Sequence, residues 1–194
     1  MIGSIAPRLM RIVAAWMLVA MLVPAAAGAN GDPASDVLLG ENVFYPYSPP
    51  VSAALQQTLN AETAAASRAH FPIKVALIAS PVDLGVVPNL FGQPQKYADF
   101  LDQEISFQGK RPLLVVMPSG YGVQGLTRAA ATAATSLTPP TGRTSNDLAR
   151  AAITAVPKLA AAAGHPFRNT ANAPTASSGN GSTTLILVIL AVGA

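Results

Sequence analysis

Two short apolar runs separated by a helical repeat are the feature that most constrains the fold of this chain. Residues 73–79 (IKVALIA) and 113–117 (LLVVM) are nearly continuous aliphatic segments next to prolines. Between them, residues 93–107 carry Tyr97 and Leu101 four positions apart, at the period of an amphipathic helix. A strand, a helix and a second strand predict a right-handed βαβ crossover. Strands without polar alternation predict a sheet that helices cover on both faces.

Further helical segments are predicted on both sides of this unit. The apolar stripe over 51–69 follows Ser48-Pro49-Pro50, which is typical of a helix start. Two more helices are predicted over 126–137 and 147–163, and Pro157 predicts a kink or a split in the second one. The expected fold class is therefore α/β, a small, helix-rich α/β/α sandwich with a βαβ unit and few strands.

The first 29 residues are typical of an export signal. Arg8 and Arg11 precede an unbroken apolar run over 12–23, and small residues suited to signal peptidase follow Pro24. Twelve helical residues cover roughly 18 Å, which is less than a hydrocarbon core of ~30 Å. The sequence therefore predicts a cleaved signal peptide and an exported, extracytoplasmic protein. The alternative is an uncleaved anchor over 12–29.

The C-terminal end combines a polar linker with an apolar tail. Residues 169–182 are rich in Asn, Thr, Ala, Ser and Gly, as expected of a flexible linker. Residues 183–194 are mostly aliphatic and resemble the beginning of a truncated transmembrane helix, which predicts membrane tethering; the alternative is a terminal element that docks on the domain. The expected division is a signal peptide over 1–29, a flexible lead over 30–42, an α/β domain over 43–168, a linker over 169–182 and this tail.

Composition and charge exclude several classes of function. The chain has no cysteine and only two histidines, so thiolate zinc sites, iron–sulfur clusters and multi-histidine metal sites are excluded. A formal charge of +3 is too small to indicate nucleic-acid binding. Within the domain, residues 32–106 hold three basic and eight acidic residues, whereas 110–168 hold seven basic residues and one acidic residue. This asymmetry indicates complementary halves of one fold, or a basic face for anionic lipid or an acidic protein partner.

The candidate catalytic residues lie where the two predicted parallel strands end. Asp83 follows the first strand, and Ser119 and Tyr121 follow the second. Because ligands of open parallel sheets gather beyond the carboxyl ends of the strands, these three side chains are expected at one edge. The alternative is turn chemistry, since Asp and Gly shape tight turns.

Two further patterns concern metals and cofactors. Asp83, together with Asp99 and Asp102 on one face of the predicted helix, is a weak candidate for divalent-cation binding; a solvated helix face is the alternative. Gly120, Gly122 and Gly125 spell G-x-G-x-x-G, but no strand is recognisable after the following helix. No nicotinamide cofactor, and no other resident cofactor, is therefore expected.

The order of these elements resembles the TPM-domain family. The resemblance covers about 43–165 and rests on short motifs: the helix 51–69, the strand 73–78, Tyr97-Ala98, the strand 113–116 before Gly120-Tyr121-Gly122, and the later helices around Pro139-Pro140. It implies an extracytoplasmic or lumenal α/β domain with a C-terminal transmembrane tether. Roles in that family include photosystem assembly, weak phosphatase activity and divalent-cation binding. Gly109-Lys110-Arg111-Pro112 stands where members commonly carry Asp-Asn-Gly, so those acidic residues are not matched.

Two hypotheses of function follow from these observations. The first is a membrane-tethered, extracytoplasmic TPM-like domain of unknown biochemical activity that acts as an interaction or assembly module. The second is a weak divalent-cation-dependent phosphatase that uses Asp83, Ser119 and Tyr121. A small-solute-binding domain at the same strand ends is a further alternative.

Overall fold

Four short strands form one mixed sheet in the computed structural model, which describes residues 31–168. The strands lie side by side in chain order, with the first three parallel and the last antiparallel. They are β1 (Val43–Phe44), β2 (Lys74–Leu77), β3 (Leu113–Met117) and β4 (Gly120–Gln124). The predicted strand 113–117 is confirmed in both of its bounds.

Five helices surround this sheet in the described part of the chain. They are α1 (Pro33–Gly40), α2 (Ala53–Arg68), α3 (Pro94–Ile105), α4 (Arg128–Thr135) and α5 (Ser145–Ala162). Short 3₁₀ turns lie at Pro81–Leu84, Pro88–Leu90 and Ser106–Gln108. The predicted α/β class is therefore confirmed. Within residues 31–168, no helix is both long and apolar enough to cross a membrane.

Alternate residues of the strands supply two separate hydrophobic cores. Val75 and Leu114 face one side of the sheet, where they pack with residues of α2 and α5. Ala76 and Val115 face the other side, where they pack with α1 and α3. The central strands are buried on both faces because a helical layer covers each one. This explains why their sequences lack polar alternation.

The two parallel crossovers lie on opposite faces of the sheet. α2 connects β1 to β2 on the first face, and α3 connects β2 to β3 on the second. Since the three strands advance in one lateral direction, the two connections have opposite hands and one of them is left-handed, which is rare. As a result, a sheet with only three parallel strands is covered by helices on both faces.

Several sequence-based boundaries need correction. The segment 30–42 was predicted as a flexible lead, but α1 occupies Pro33–Gly40 and buries Ala34 and Leu38 in the second core. No strand is predicted after 113–117, but Gly120–Gln124 form β4 against β3. Pro157 does not split α5. The predicted signal peptide, linker and apolar tail lie outside the described residues.

A buried hydrogen bond joins α1 to α3. The Tyr97 hydroxyl donates to Asp32 Oδ1 over 2.6 Å, and Asp32 Oδ2 accepts from the Ser35 amide over 3.1 Å as the cap of α1. Asp32 is 3% exposed, and burial raises the pKa of its carboxyl above the ordinary value of 3.8, despite these hydrogen bonds. The proton is therefore held more tightly in the folded protein than in the unfolded chain.

This raised pKa predicts how stability depends on pH. The stabilising contribution of Asp32 is fully present below pH 3.8 and is lost as the pH rises through the raised pKa. As the pH rises through this range, we expect the free energy of unfolding of wild type to fall relative to that of Asp32→Asn, which does not titrate at this position. Urea denaturation of both proteins in a pH series measures the difference. A difference that does not change with pH would contradict the expected effect.

Candidate functional site

The carboxyl ends of β1, β2 and β3 meet at one edge of the sheet, as the parallel pairing requires. Asp83 lies in the 3₁₀ turn after β2, and Ser119 lies in the tight turn between β3 and β4. Tyr121 is two residues further along, in β4, and packs against the first core. The structure therefore places all three candidate residues at or next to the predicted edge, but each in a different environment.

Asp83 is an internal clamp between two loops of this edge. Its side chain is 1% exposed and accepts hydrogen bonds from the Ala79 and Ser80 amides, over 3.0 and 2.8 Å, and from the Ser80 hydroxyl. Its second oxygen accepts from the Tyr47 amide after β1 over 3.2 Å. Four donors thus occupy a buried carboxylate. This is the geometry of the turn-chemistry alternative.

A crevice of about 320 Å³ opens beside this clamp. Its apolar lining comes from Ala79, Pro81, Phe91 and Pro118. Its polar lining comes from Ser80, Gly92, Ser119 and Arg143. The volume is in the range of small-molecule sites, and the position beyond the strand ends is where open α/β sheets bind ligands.

Within residues 31–168, Arg143 is the one charged side chain that lines this crevice. It lies on the loop 138–144 between α4 and α5, and it is exposed. Over residues 31–168, neither its guanidinium nor the Ser119 hydroxyl has a hydrogen-bond or ion-pair partner. The crevice therefore offers an uncompensated cation and a free hydroxyl to a ligand.

The loop that carries Arg143 is fixed at both of its ends. At one end, the Tyr121 hydroxyl donates to the Thr138 carbonyl over 2.8 Å, and burial raises the pKa of Tyr121, which keeps it a donor. At the other end, Thr144 and Asp147 form a capping box on α5, and hydrogen bonds led by the Thr144 hydroxyl hold the pKa of Asp147 below its ordinary value. Gly142 abuts the Asp147 carboxylate so closely that a Cβ there would collide with it.

The three candidate metal ligands are not brought together. Asp99 Oδ1 accepts hydrogen bonds from Gln95 Nε2 and Gln124 Nε2, over 2.7 and 2.6 Å. Gln124 pairs with Leu113 at the start of β3, so Asp99 lies near that end of the strand. Asp102 borders a shallow depression near Lys74 at the start of β2. Both therefore lie toward the edge opposite Asp83. Over residues 31–168, no group of three or more His, Asp or Glu side chains could hold a metal ion.

A second, smaller cavity of about 160 Å³ lies along α5. Tyr121, Pro140, Arg150 and Lys158 are among its lining residues. Arg150 is paired with Asp147 over 3.3 Å. This cavity is half the volume of the strand-end crevice, and a carboxylate already neutralises one of its cations.

Sequence reasoning missed the crevice-lining residues that come from outside the predicted strand ends. Arg143 and Phe91 lie in loops that approach the strand ends only in the folded chain. The available signal was the concentration of positive charge in 110–168, together with a basic residue three positions after Pro140.

No protein-family model matches this chain, and comparisons with curated proteins and with solved structures give no match.

Proposed function

We propose that this chain is an extracytoplasmic, membrane-tethered interaction module of the TPM type, which binds a small solute or a small group of a partner without transforming it. One observation carries this proposal: the strand-end crevice presents Arg143 and Ser119 with free hydrogen-bonding capacity, while the nearby carboxylate of Asp83 is buried and fully hydrogen-bonded. Arg143 and a serine hydroxyl can hold a ligand, but among the lining residues of the described part of the chain no general acid or base accompanies them.

The course of the chain supports a tether that leaves the crevice accessible. α5 begins near the carboxyl edge, where Ser145 Oγ donates to the Pro49 carbonyl, and it ends at the opposite edge. There the His165 ring stacks on Phe71, which precedes β2, with ring centroids 6.3 Å apart. An anchor beyond Arg168 would therefore leave the edge opposite the crevice.

The phosphatase alternative lacks an observation of this kind. A cation-dependent mechanism needs a carboxylate that is free to bind metal or to accept a proton. Asp83 instead accepts bonds from Tyr47, Ala79 and Ser80. We therefore propose the binding function alone.

Filling the crevice tests this proposal. Ser119 is exposed, so Ser119→Trp places a large side chain at the crevice while leaving the core intact. We expect ligand-observed NMR on the full chain in detergent, with a set of small carboxylates, phosphates, amides and amines, to identify binders that lose at least about tenfold in affinity in this variant. Gln57→Trp, on the exposed face of α2, is the matched control and should bind as wild type does. Equal affinity in wild type and Ser119→Trp, or no binder at all, would contradict the proposal.

A further inference from the structure

We infer that the ligand of the crevice is an amphipathic monoanion, with an oxyanion head that Arg143 binds and an apolar body that packs on Phe91 and the neighbouring prolines. This inference rests on the proposed binding function and adds the chemical class of the ligand. Carboxylate and phosphate share the chemistry that a guanidinium recognises, since both present two oxygens to its forked donors.

The sign of the ligand follows from the charges in the crevice. Arg143 has no carboxylate partner within residues 31–168, and no acidic side chain is among the lining residues. A cationic ligand would meet an uncompensated like charge, whereas an anion would supply the missing partner. One guanidinium balances one negative charge, so the site favours a monoanion.

The polar and apolar parts of the lining fix the rest of the ligand. Pro81 and Pro118 have no amide hydrogen to donate, and Phe91 adds an aromatic wall. The Ser80 hydroxyl already donates to Asp83 Oδ2 over 3.2 Å, so it can only accept from a ligand. Ser119 remains free to donate. The body of the ligand therefore meets apolar surface, with hydrogen-bond donors concentrated at the head.

The guanidinium is carried by a segment that is held before any ligand arrives. Tyr121 holds one end of the loop through Thr138, and the Thr144–Asp147 capping box holds the other. A loop ordered in advance loses less conformational entropy when the ligand binds. Arg143 is thus placed as the anchor of the site.

Four related probes test the ligand class on the full chain in detergent. Phenylacetate and the phosphodiester methyl phenyl phosphate each carry a single negative charge on the head, phenylacetamide is neutral, and phenethylamine is cationic. We expect calorimetric titration to give dissociation constants at least about tenfold lower for the anions than for the amide and the amine. The two anionic probes compared with each other distinguish carboxylate from phosphate as the preferred head.

Substitution of Arg143 tests whether the preference for anions depends on its guanidinium. In Arg143→Gln, the affinity for both anions should fall by at least about tenfold, while the affinity for the amide should stay unchanged. Arg128→Gln, at the exposed start of α4, removes the same charge elsewhere and should bind as wild type does. Anion affinity that persists in Arg143→Gln would overturn the inference.

The outcomes separate this inference from the binding function beneath it. If the amide or the amine binds at least as tightly as the anions, and Ser119→Trp abolishes that binding, the crevice is a binding site but the ligand class is wrong. If none of the four probes binds, both the ligand class and the proposed crevice function are overturned.

Discussion

Replacing Asp83 with alanine is expected to lower the free energy of unfolding by roughly 3–5 kcal/mol, the largest effect of any substitution at the carboxyl edge. The carboxylate accepts from three backbone amides and one hydroxyl while 1% exposed. Alanine leaves these donors without their acceptor and separates the segment after β1 from the turn after β2. Urea denaturation of the full chain in detergent, compared with wild type, measures the loss.

Asp102→Ala is the matched control for this substitution. It removes the same side chain from α3, where the Asp102 carboxylate is only partly buried and serves no comparable clamp. We expect its free energy of unfolding to stay within about 0.5 kcal/mol of wild type. If Asp83→Ala were equally mild, Asp83 would not be the clamp of this edge, and its carboxylate would be available for other chemistry.

Gly122→Ala is expected to cost about 2–3 kcal/mol, because the added methyl group has no space. A Cβ at Gly122 would collide with the Pro94 carbonyl and would lie 2.8 Å from the Gln95 nitrogen. These are backbone atoms of the first turn of α3, so they can give way only if the helix moves. Since Phe91 and Gly92 lie three and two residues before the start of α3 and line the crevice, solute affinity should fall together with stability.

Gly40→Ala provides the comparison for this prediction. Gly40 ends α1, and a Cβ there would meet no atom within 4 Å. Its φ is not in the left-handed region, so alanine should leave the free energy of unfolding within about 0.5 kcal/mol of wild type or raise it slightly. Thermal melts compare the melting temperatures of Gly122→Ala and Gly40→Ala. Equal melting temperatures would contradict the close approach of β4 to α3.

The central βαβ unit could be predicted because its signals are local and mutually consistent. Apolar runs specify β2 and β3, and the stripe through Tyr97 and Leu101 specifies α3. The remaining elements depend on tertiary contacts. β1 has only two residues and exists through its pairing with β2, and β4 contains two glycines, which are unusual in strands. α1 did carry a local signal, the Asp32 cap followed by Pro33, but its short length concealed the helix.

The edge of the sheet at which the candidate site lies could be predicted from the sequence, but the residues that line the crevice could not. The rule for parallel sheets placed Asp83 and Ser119 at the correct edge. It could not show that Asp83 accepts a hydrogen bond from the Tyr47 amide, which is 36 positions away in the chain. Nor could it show that Arg143 reaches the same edge, because the path of the loop depends on Tyr121 and on the cap of α5. Such long-range placements follow from packing rather than from local pattern.

The most direct test of the central claim is a ¹⁵N-resolved NMR titration of the full chain in detergent with phenylacetate. We expect the changes in chemical shift to concentrate on the backbone amides that line the crevice, those of Ser80, Gly92, Ser119 and Arg143. Changes confined to the cavity around Arg150 and Lys158, or no changes at saturating concentration, would contradict it.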